Sequence, residues 1–292
     1  MSSNIRVETI TLGDELLLGI RENAHLTYLG NKLAHHGLEP AANLVIRDNP
    51  EDIRLFFSEA WKRSDLIITT GGLGPTTDDI TRENIAEALG EKLVFDPTIE
   101  TALKERFSQL ERPMPEINLR QCYRPENSEI LQNPYGTAPG LWLKKDNKIL
   151  VMLPGPAREM HPMFEEQVIP RLQKEGIFPE IDCYLQIRTA GIGESTVAEK
   201  VEHLFDGKDE LLVGYCAHAG MVDIRLSSLN SNAFDDQALN SLADACRDAL
   251  GEDFVCLGDR TIAGVIFREL QNLGKTLAVA ESCTGGLLSS SF

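Results

Sequence analysis

One stretch limits the possible folds more than any other. The short apolar run Leu66–Thr70 passes without a break into Gly71-Gly72-Leu73-Gly74-Pro75-Thr76-Thr77-Asp78-Asp79, and a helical pattern follows over residues 80–89, closed by Gly90. A strand that ends in a glycine loop and re-emerges as a helix is half of a β-α-β crossover, which is right-handed and returns to a parallel sheet. The same rhythm precedes it. Residues 6–12 read as a strand, followed by a polar turn at Gly13-Asp14-Glu15. Residues 23–36 carry Leu26, Leu29, Leu33 and Ala34 at helical spacing, with Gly37 as a C-terminal cap. A strand near 42–46 and a helix over Pro50–Arg63 complete the series. The expectation is an α/β fold, a mostly parallel sheet with helices on both faces.

Further along, residues 97–110 predict a polar helix. Residues 141–143 and 149–153 predict a hairpin turned by Lys145-Asp146-Asn147-Lys148, and a helix starts near Arg158. At 292 residues the chain has room for about two domains of roughly 150 residues each. A first domain over 1–178 is followed by a small α+β unit over 179–256, read as strand, helix (194–205), two strands (211–216 and 222–229) and helix (234–250). The last segment, 257–292, predicts a helix over 261–273 and a strand over 276–280, ending in Glu281-Ser282-Cys283-Thr284-Gly285-Gly286. One crossover cannot enclose a core, so this piece reads as an appendage or as the opening of something longer.

Composition narrows the partners. Lys plus Arg less Asp plus Glu is 28 − 45 = −17. That surface repels phosphate backbones and anionic lipid, so direct nucleic-acid binding and membrane association are not expected. No apolar run reaches the roughly 18 residues of a membrane helix, and the N-terminus lacks a signal-peptide core, so a cytoplasmic location is expected. The six cysteines form no C-x-x-C pair and read as small buried hydrophobes. The six histidines show no metal or triad spacing and read as surface or satisfied residues.

The chemistry concentrates in the glycine loop. Gly71, Gly72 and Gly74 let the backbone approach an anion, the following helix presents free N–H groups, and Thr76 and Thr77 add hydroxyl donors. The loop is neither a P-loop nor G-x-G-x-x-G. If the first and third strands are neighbours, Asp14 meets Asp78 and Asp79 across it. Two carboxylates about 4 Å apart repel by roughly 4 kcal/mol at an effective dielectric near 20. A divalent cation held by Asp14 and Asp79 reverses that sign and suits hydrolysis of a phosphoanhydride. The plainer reading makes Asp14, Asp78 or Asp79 a turn or helix-cap residue, and Asn23 a cap rather than a ligand contact. Gly13 belongs to the first turn, while Gly136 and Thr137 (in the loop 133–140) and Gly155 (in 153–160) line a substrate cleft or simply form turns. Gly191-Ile192-Gly193 is spaced G-x-G in acidic surroundings, which disfavours RNA binding. Ser282 could be a nucleophile, but no base can be named for it.

Six separated motifs carry a family resemblance: TLGDELLLG with Asn23, TTGGLGPTTDD, NPYGTAPG, LPGPAREM, RTAGIGES and AVAESCTGG. In this order they resemble the CinA competence/damage-inducible family. The resemblance implies a first domain of the molybdopterin-binding fold shared with MoaB and MogA, a KH-like middle domain, and a C-terminal nicotinamide-nucleotide amidase domain. For the first domain it implies metal-dependent hydrolysis of ADP-ribose to AMP and ribose 5-phosphate, a small-molecule nucleotide substrate, and a homodimer. The family's glycine loop falls on Gly71, Gly72, Gly74 and Pro75, its functional aspartate on Asp79, and its Gly-Asp-Glu turn on Gly13 to Glu15. The amidase motif falls on Ser282, Thr284, Gly285 and Gly286. Residues 153–157 read Leu-Pro-Gly-Pro-Ala where many members have Leu-Pro-Gly-Val-Pro. The amidase domain is expected to be incomplete at residue 292 and inactive. The expected function is therefore an ADP-ribose pyrophosphatase. Its rivals are a non-catalytic molybdopterin- or nucleotide-binding module and a regulatory protein whose amidase remnant serves assembly.

Overall fold

The computed structural model describes residues 5–178, 184–228 and 236–292. The chain divides into two compact units, residues 1–180 and 181–292. In the first unit the elements run β1 (Val7–Leu12), α1 (Asp14–Leu17), α2 (Ala24–His35), β2 (Pro40–Ile46), α3 (Pro50–Arg63), β3 (Leu66–Thr70) and α4 (Thr81–Leu89). They continue with β4 (Leu93–Phe95), α5 (Pro97–Gln109), β5 (Tyr123–Pro125), β6 (Ser128–Leu131), β7 (Gly140–Lys145), β8 (Lys148–Leu153), α6 (Ala157–Met163) and α7 (Ile169–Lys174).

Six strands form one sheet in the order β2-β1-β3-β8-β7-β6. The first four are parallel, and the β7–β8 hairpin turns the chain antiparallel through Asp146 (φ 53°) and Asn147 (φ 58°). Both residue types tolerate that left-handed turn, which matches the twist of the strands. Alternation along the strands sends Val7, Leu66, Ile68 and Val151 to one face, against Leu29 and Leu33 of α2 and Met160 and Phe164. Ile10, Ile67, Leu150 and Met152 go to the other, against Ile53 and Phe57 of α3 and Ile85 of α4. Helices therefore cover both faces, as expected. Local chemistry sets the helix starts: Asn49 Oδ1 accepts the Glu51 and Asp52 N–H groups at 2.9 and 3.2 Å, ahead of Pro50.

Two expectations are corrected in this unit. Residues 14–17 form one helical turn rather than a simple bend. The sheet is mostly parallel, as expected, and the β8–β7 and β7–β6 pairings that extend it are antiparallel. Residues 95–133, read as one helix and a loop, also hold the antiparallel β4–β5 ribbon, a tight helical turn over Glu116–Cys122, and the edge strand β6.

The second unit contains β9 (Tyr184–Ala190), α8 (Glu194–Val201), β10 (Leu211–His218), β11 (Met221–Ser228), α9 (Asp236–Leu250), β12 (Phe254–Leu257), α10 (Ile262–Asn272) and α11 (Leu287–Ser290). Its four strands form an antiparallel sheet in the order β10-β11-β9-β12. Val197 and Val201 of α8 pack with Leu242, Cys246 and Leu250 of α9 over Ile187 and Ile224. The fourth strand, β12, was not anticipated. The expected element ends at 229 and 234 and the boundary at 179 lie outside the described residues.

The strand expected over 276–280 is absent. Those residues are exposed and make no ladder, because no neighbouring strand offers them a partner among the described residues. Cys122, Cys246 and Cys256 are buried, and burial pushes the Cys246 thiol up to about 11. Among the described residues, no helix is long and apolar enough to cross a membrane.

Candidate functional site

The parallel registers bring three loops to one edge of the sheet. Thr11 of β1 lies beside Thr70 of β3, and Thr70 lies beside Leu153 of β8. The chain therefore leaves all three strands at the same level, where ligands collect in open α/β sheets. Gly71 donates its N–H to Leu153 O at 3.0 Å, and a Cβ on it would stand 2.6 Å from Leu12 O. A Cβ on Gly155 would stand 3.7 Å from Gly71 Cα. The expected loops at Gly13, Gly71 and Gly155 do converge.

Within the glycine loop, Asp79 is turned back on its own chain. Its Oδ2 accepts the Thr76 N–H at 2.9 Å and the Thr76 hydroxyl, while Asp79 N–H returns to Thr76 O at 3.1 Å. The carboxylate closes the turn 76–79, while Ile80, at the N-cap position of α4, supplies no side-chain cap. Asp78 and Thr77 are exposed. Among the described residues, the N–H groups of Gly72, Gly74 and Thr77 have no acceptor.

A segment the sequence did not single out holds this loop from behind. The Arg120 guanidinium donates to the carbonyls of Pro75, Thr76 and Asp79. Gln121 Nε2 donates to Leu73 O at 3.4 Å and to Thr137 Oγ1 at 3.3 Å. Arg82, with a side chain only 1% exposed, donates to Arg120 O at 3.0 Å. Thr137 thus reaches the glycine loop through Gln121, whereas Gly136 packs so closely on Glu159 that a Cβ would lie 1.7 Å from its Oε2.

Asp14 meets a carboxylate, though not the expected one. Asp14 N–H donates to Asp48 Oδ2 at 3.3 Å, and Asp48 N–H donates to Asp14 Oδ1 at 3.2 Å. Burial, together with the charges of Asp14, Glu15 and Asp78, pushes Asp48 up to about 6. Asp48 is therefore protonated in the folded state across a range where the unfolded chain has already ionised it. Between pH 4 and 6 the folded state binds more protons, so this group's contribution to stability falls as pH rises. Urea midpoints measured from pH 4 to 7 should show that fall, and Asp48→Asn should remove it.

Asn23 is a helix cap. Its Oδ1 accepts the Leu26 N–H at 3.2 Å, and its amide reaches Thr11 Oγ1 at 3.4 Å and Asn43 Oδ1 at 3.3 Å. Two histidines read as incidental border the crevice. His25 Nδ1 lies 2.9 Å from Thr70 Oγ1, and burial, the largest cause, holds its pKa below the usual value. His161 stacks on Tyr28 at 3.5 Å between ring centroids. No local spacing marks either residue; both depend on α2 and α6 packing over one face of the sheet.

In the second unit, Glu281 bonds Thr284 of the expected amidase motif together with Leu288 and Ser289 beyond it. Its carboxylate accepts the Ser289 hydroxyl, Thr284 Oγ1 at 2.6 Å and the Ser289 and Leu288 N–H groups at 2.8 Å each, and these bonds, that of the Ser289 hydroxyl foremost, lower it to about 2. Ser282 Oγ lies 3.7 Å from Cys283 Sγ, and Gly285 and Gly286 take left-handed φ angles of 63° and 85°. Among the described residues, no three His, Cys, Asp or Glu side chains converge as metal ligands in either unit.

Comparison with known proteins gives three family matches. Residues 8–174 match a probable molybdopterin binding domain, 186–255 the damage-inducible protein CinA KH domain, and 259–292 the CinA C-terminal domain. A CinA-like protein of Kosmotoga olearia is 38% identical over 290 residues, covering 98% of this chain and 69% of that protein. A putative competence-damage inducible protein of Caldicellulosiruptor saccharolyticus is 38% identical over 283 residues, covering 96% and 68%. The crystal structure of CinA, of unknown function, from Thermoplasma acidophilum is 32% identical, with a TM-score of 0.54 over 59% of this chain and 99% of that one.

These matches correct the expected activity. None of these descriptions names an ADP-ribose pyrophosphatase, and the aspartate expected to hold a catalytic cation is committed to Thr76. Residues 259–292, read as the start of an amidase domain, match the CinA C-terminal domain.

Proposed function

The chain belongs to the CinA family, and on that premise we propose that its first unit binds a small phosphorylated heterocycle, a pterin phosphate or a nucleotide, without turning it over. Families of this kind comprise enzymes and enzyme-like proteins, and binding is the part this crevice supports. The observation that carries the reading is the set of unpartnered N–H groups at Gly72, Gly74 and Thr77, in a loop that opens α4. A helix N-terminus adds a partial positive charge to such donors, and phosphate oxygens are their natural acceptors. A trans peptide points its C=O and N–H in opposite directions, so Arg120, by holding Thr76 O, turns the Thr77 N–H the other way.

A divalent cation fits here only jointly with the ligand. Asp14 and Asp48 supply two carboxylates, and phosphate oxygens would complete the coordination and offset their repulsion.

Calorimetric titration with AMP and with adenosine tests the reading. AMP should bind and adenosine should not, magnesium should tighten AMP binding, and Arg120→Ala should weaken it about tenfold, or about 1.4 kcal/mol. The Arg120 variant should melt with the parent, since its side chain is about one-third exposed and its bonds are confined to the loop's neighbourhood. Equal affinity for adenosine and AMP would sink the phosphate assignment.

A further inference from the structure

A cavity of about 560 Å³ lies in the first unit, between α5 and residues 130–139. That falls inside the range of small-molecule sites, about 300–1,000 Å³. Its walls are apolar: Ile99, Ala102 and Leu103 share one face of α5 at i, i+3 and i+4 spacing, opposite Ile130 and Pro139. Local bonds hold those walls apart. Asp96 caps α5 through the Thr98 N–H at 2.9 Å and is itself tied to Arg124 at 2.6 Å. Near the other end of the helix, Arg106 Nη1 donates to Pro134 O at 2.6 Å, and Asn133 Nδ2 braces Ala138 O at 2.7 Å. The cleft is therefore built before any ligand arrives.

Its polar rim specifies what it can take. The Gln109 and Gln132 carboxamides and the Glu105 and Glu166 carboxylates line it, and none of these four side chains has a hydrogen-bond or ion-pair partner among the described residues. With Arg106, the rim's formal charge is one negative, which disfavours a phosphate and favours ring N–H donors. Two opposed apolar walls with carboxylates and carboxamides at the rim suit a planar heterocycle whose amino group and adjacent ring N–H donate together to a carboxylate.

We infer that the cleft between α5 and residues 130–139 is a ligand site for a neutral heterocycle with a 2-aminopyrimidinone edge, of which guanine is the type. Its charge preference is opposite to that of the glycine loop, so the two sites select different ligands. Thr137 belongs to its lining and accepts from Gln121, the residue that also holds Leu73 O, so one wall shares a side chain with the glycine loop.

Guanosine is the probe, titrated by calorimetry into the full chain, with hydrogen exchange recorded in parallel. Binding should protect residues 98–109 and 130–139, and GMP should bind this cleft more weakly than guanosine. Ala102→Trp fills the cleft from an exposed helix position, so the core is untouched. It should weaken guanosine about tenfold or more while AMP binding persists. Glu166→Gln, a smaller change at an exposed residue, should also weaken guanosine. Failure of guanosine to bind, or equal affinity in Ala102→Trp, overturns the inference and leaves the phosphate reading intact. Loss of AMP together with guanosine in Ala102→Trp also overturns it, because the ligands would then share one site.

Discussion

An Asp223→Ala protein is expected to lose about 3–5 kcal/mol of stability in its second unit, the cost of leaving a buried charge without its partner. Asp223 on β11 and Arg188 on β9 face each other across the sheet, with side chains 4% and 11% exposed. Their pairing is bidentate, with Arg188 Nε to Oδ1 and Nη2 to Oδ2 both at 2.7 Å, and Gln186 adds a third bond to Asp223 at 2.9 Å. Arg188 also donates to the carbonyls of Asp259 and Arg260, so the pair ties the sheet to the start of the C-terminal segment. Removing the carboxylate strands a guanidinium that cannot deprotonate near neutral pH. Cys246, fully buried in the core of this unit, reports the loss. Peptide-resolved thiol labelling of Cys246 should speed up about a hundredfold or more if it proceeds through opening of the unit. An unchanged labelling rate would mean that the pair contributes little to the fold.

Gly72→Ala is expected to abolish AMP binding. Gly72 sits at φ +67°, and a left-handed conformation costs an L-residue about 1–2 kcal/mol. The larger obstacle is steric. A Cβ there would stand 1.9 Å from Thr81 Oγ1 and 3.0 Å from Thr81 Cβ. Thr81 is fully buried at the first position of α4, with its N–H on Gly72 O at 3.2 Å, so it cannot move aside without unseating the helix start. The loop must reshape instead, and its donors leave their positions. The expected loss of affinity is about a hundredfold or more, each tenfold being about 1.4 kcal/mol. Gly90→Ala is the matched control. Gly90 has the same φ of +67°, but a Cβ there meets nothing within 4 Å. It should lose about 1 kcal/mol of stability and bind AMP normally.

Much of the first unit was legible because its signals are local. Apolar period and closing glycines such as the left-handed Gly90 act within a few residues, and the bounds of β3 and α3 follow from signals of that kind. The glycine loop was legible for the same reason: three glycines between a strand and a helix leave few other conformations. Residues 95–133 were harder, since two very short strands and a tight helical turn carry too few residues to show a period. The second unit hid its edge strand β12 in the same way.

The site's partners were a different matter. Sequence alone determined that a strand, a glycine loop and a helix follow one another across residues 66–89, because backbone preference and chain direction are properties of neighbouring residues. Only the tertiary structure decided who meets whom there. Register between β1 and β2 placed Asp48, rather than Asp79, against Asp14. Packing of the 116–122 turn brought Arg120 to Thr76, 44 residues away along the chain. The strand expected at 276–280 failed on the same principle. Residue pattern sets what a segment can be, but a strand exists only where a partner completes its hydrogen bonds, and partners are set by the fold as a whole.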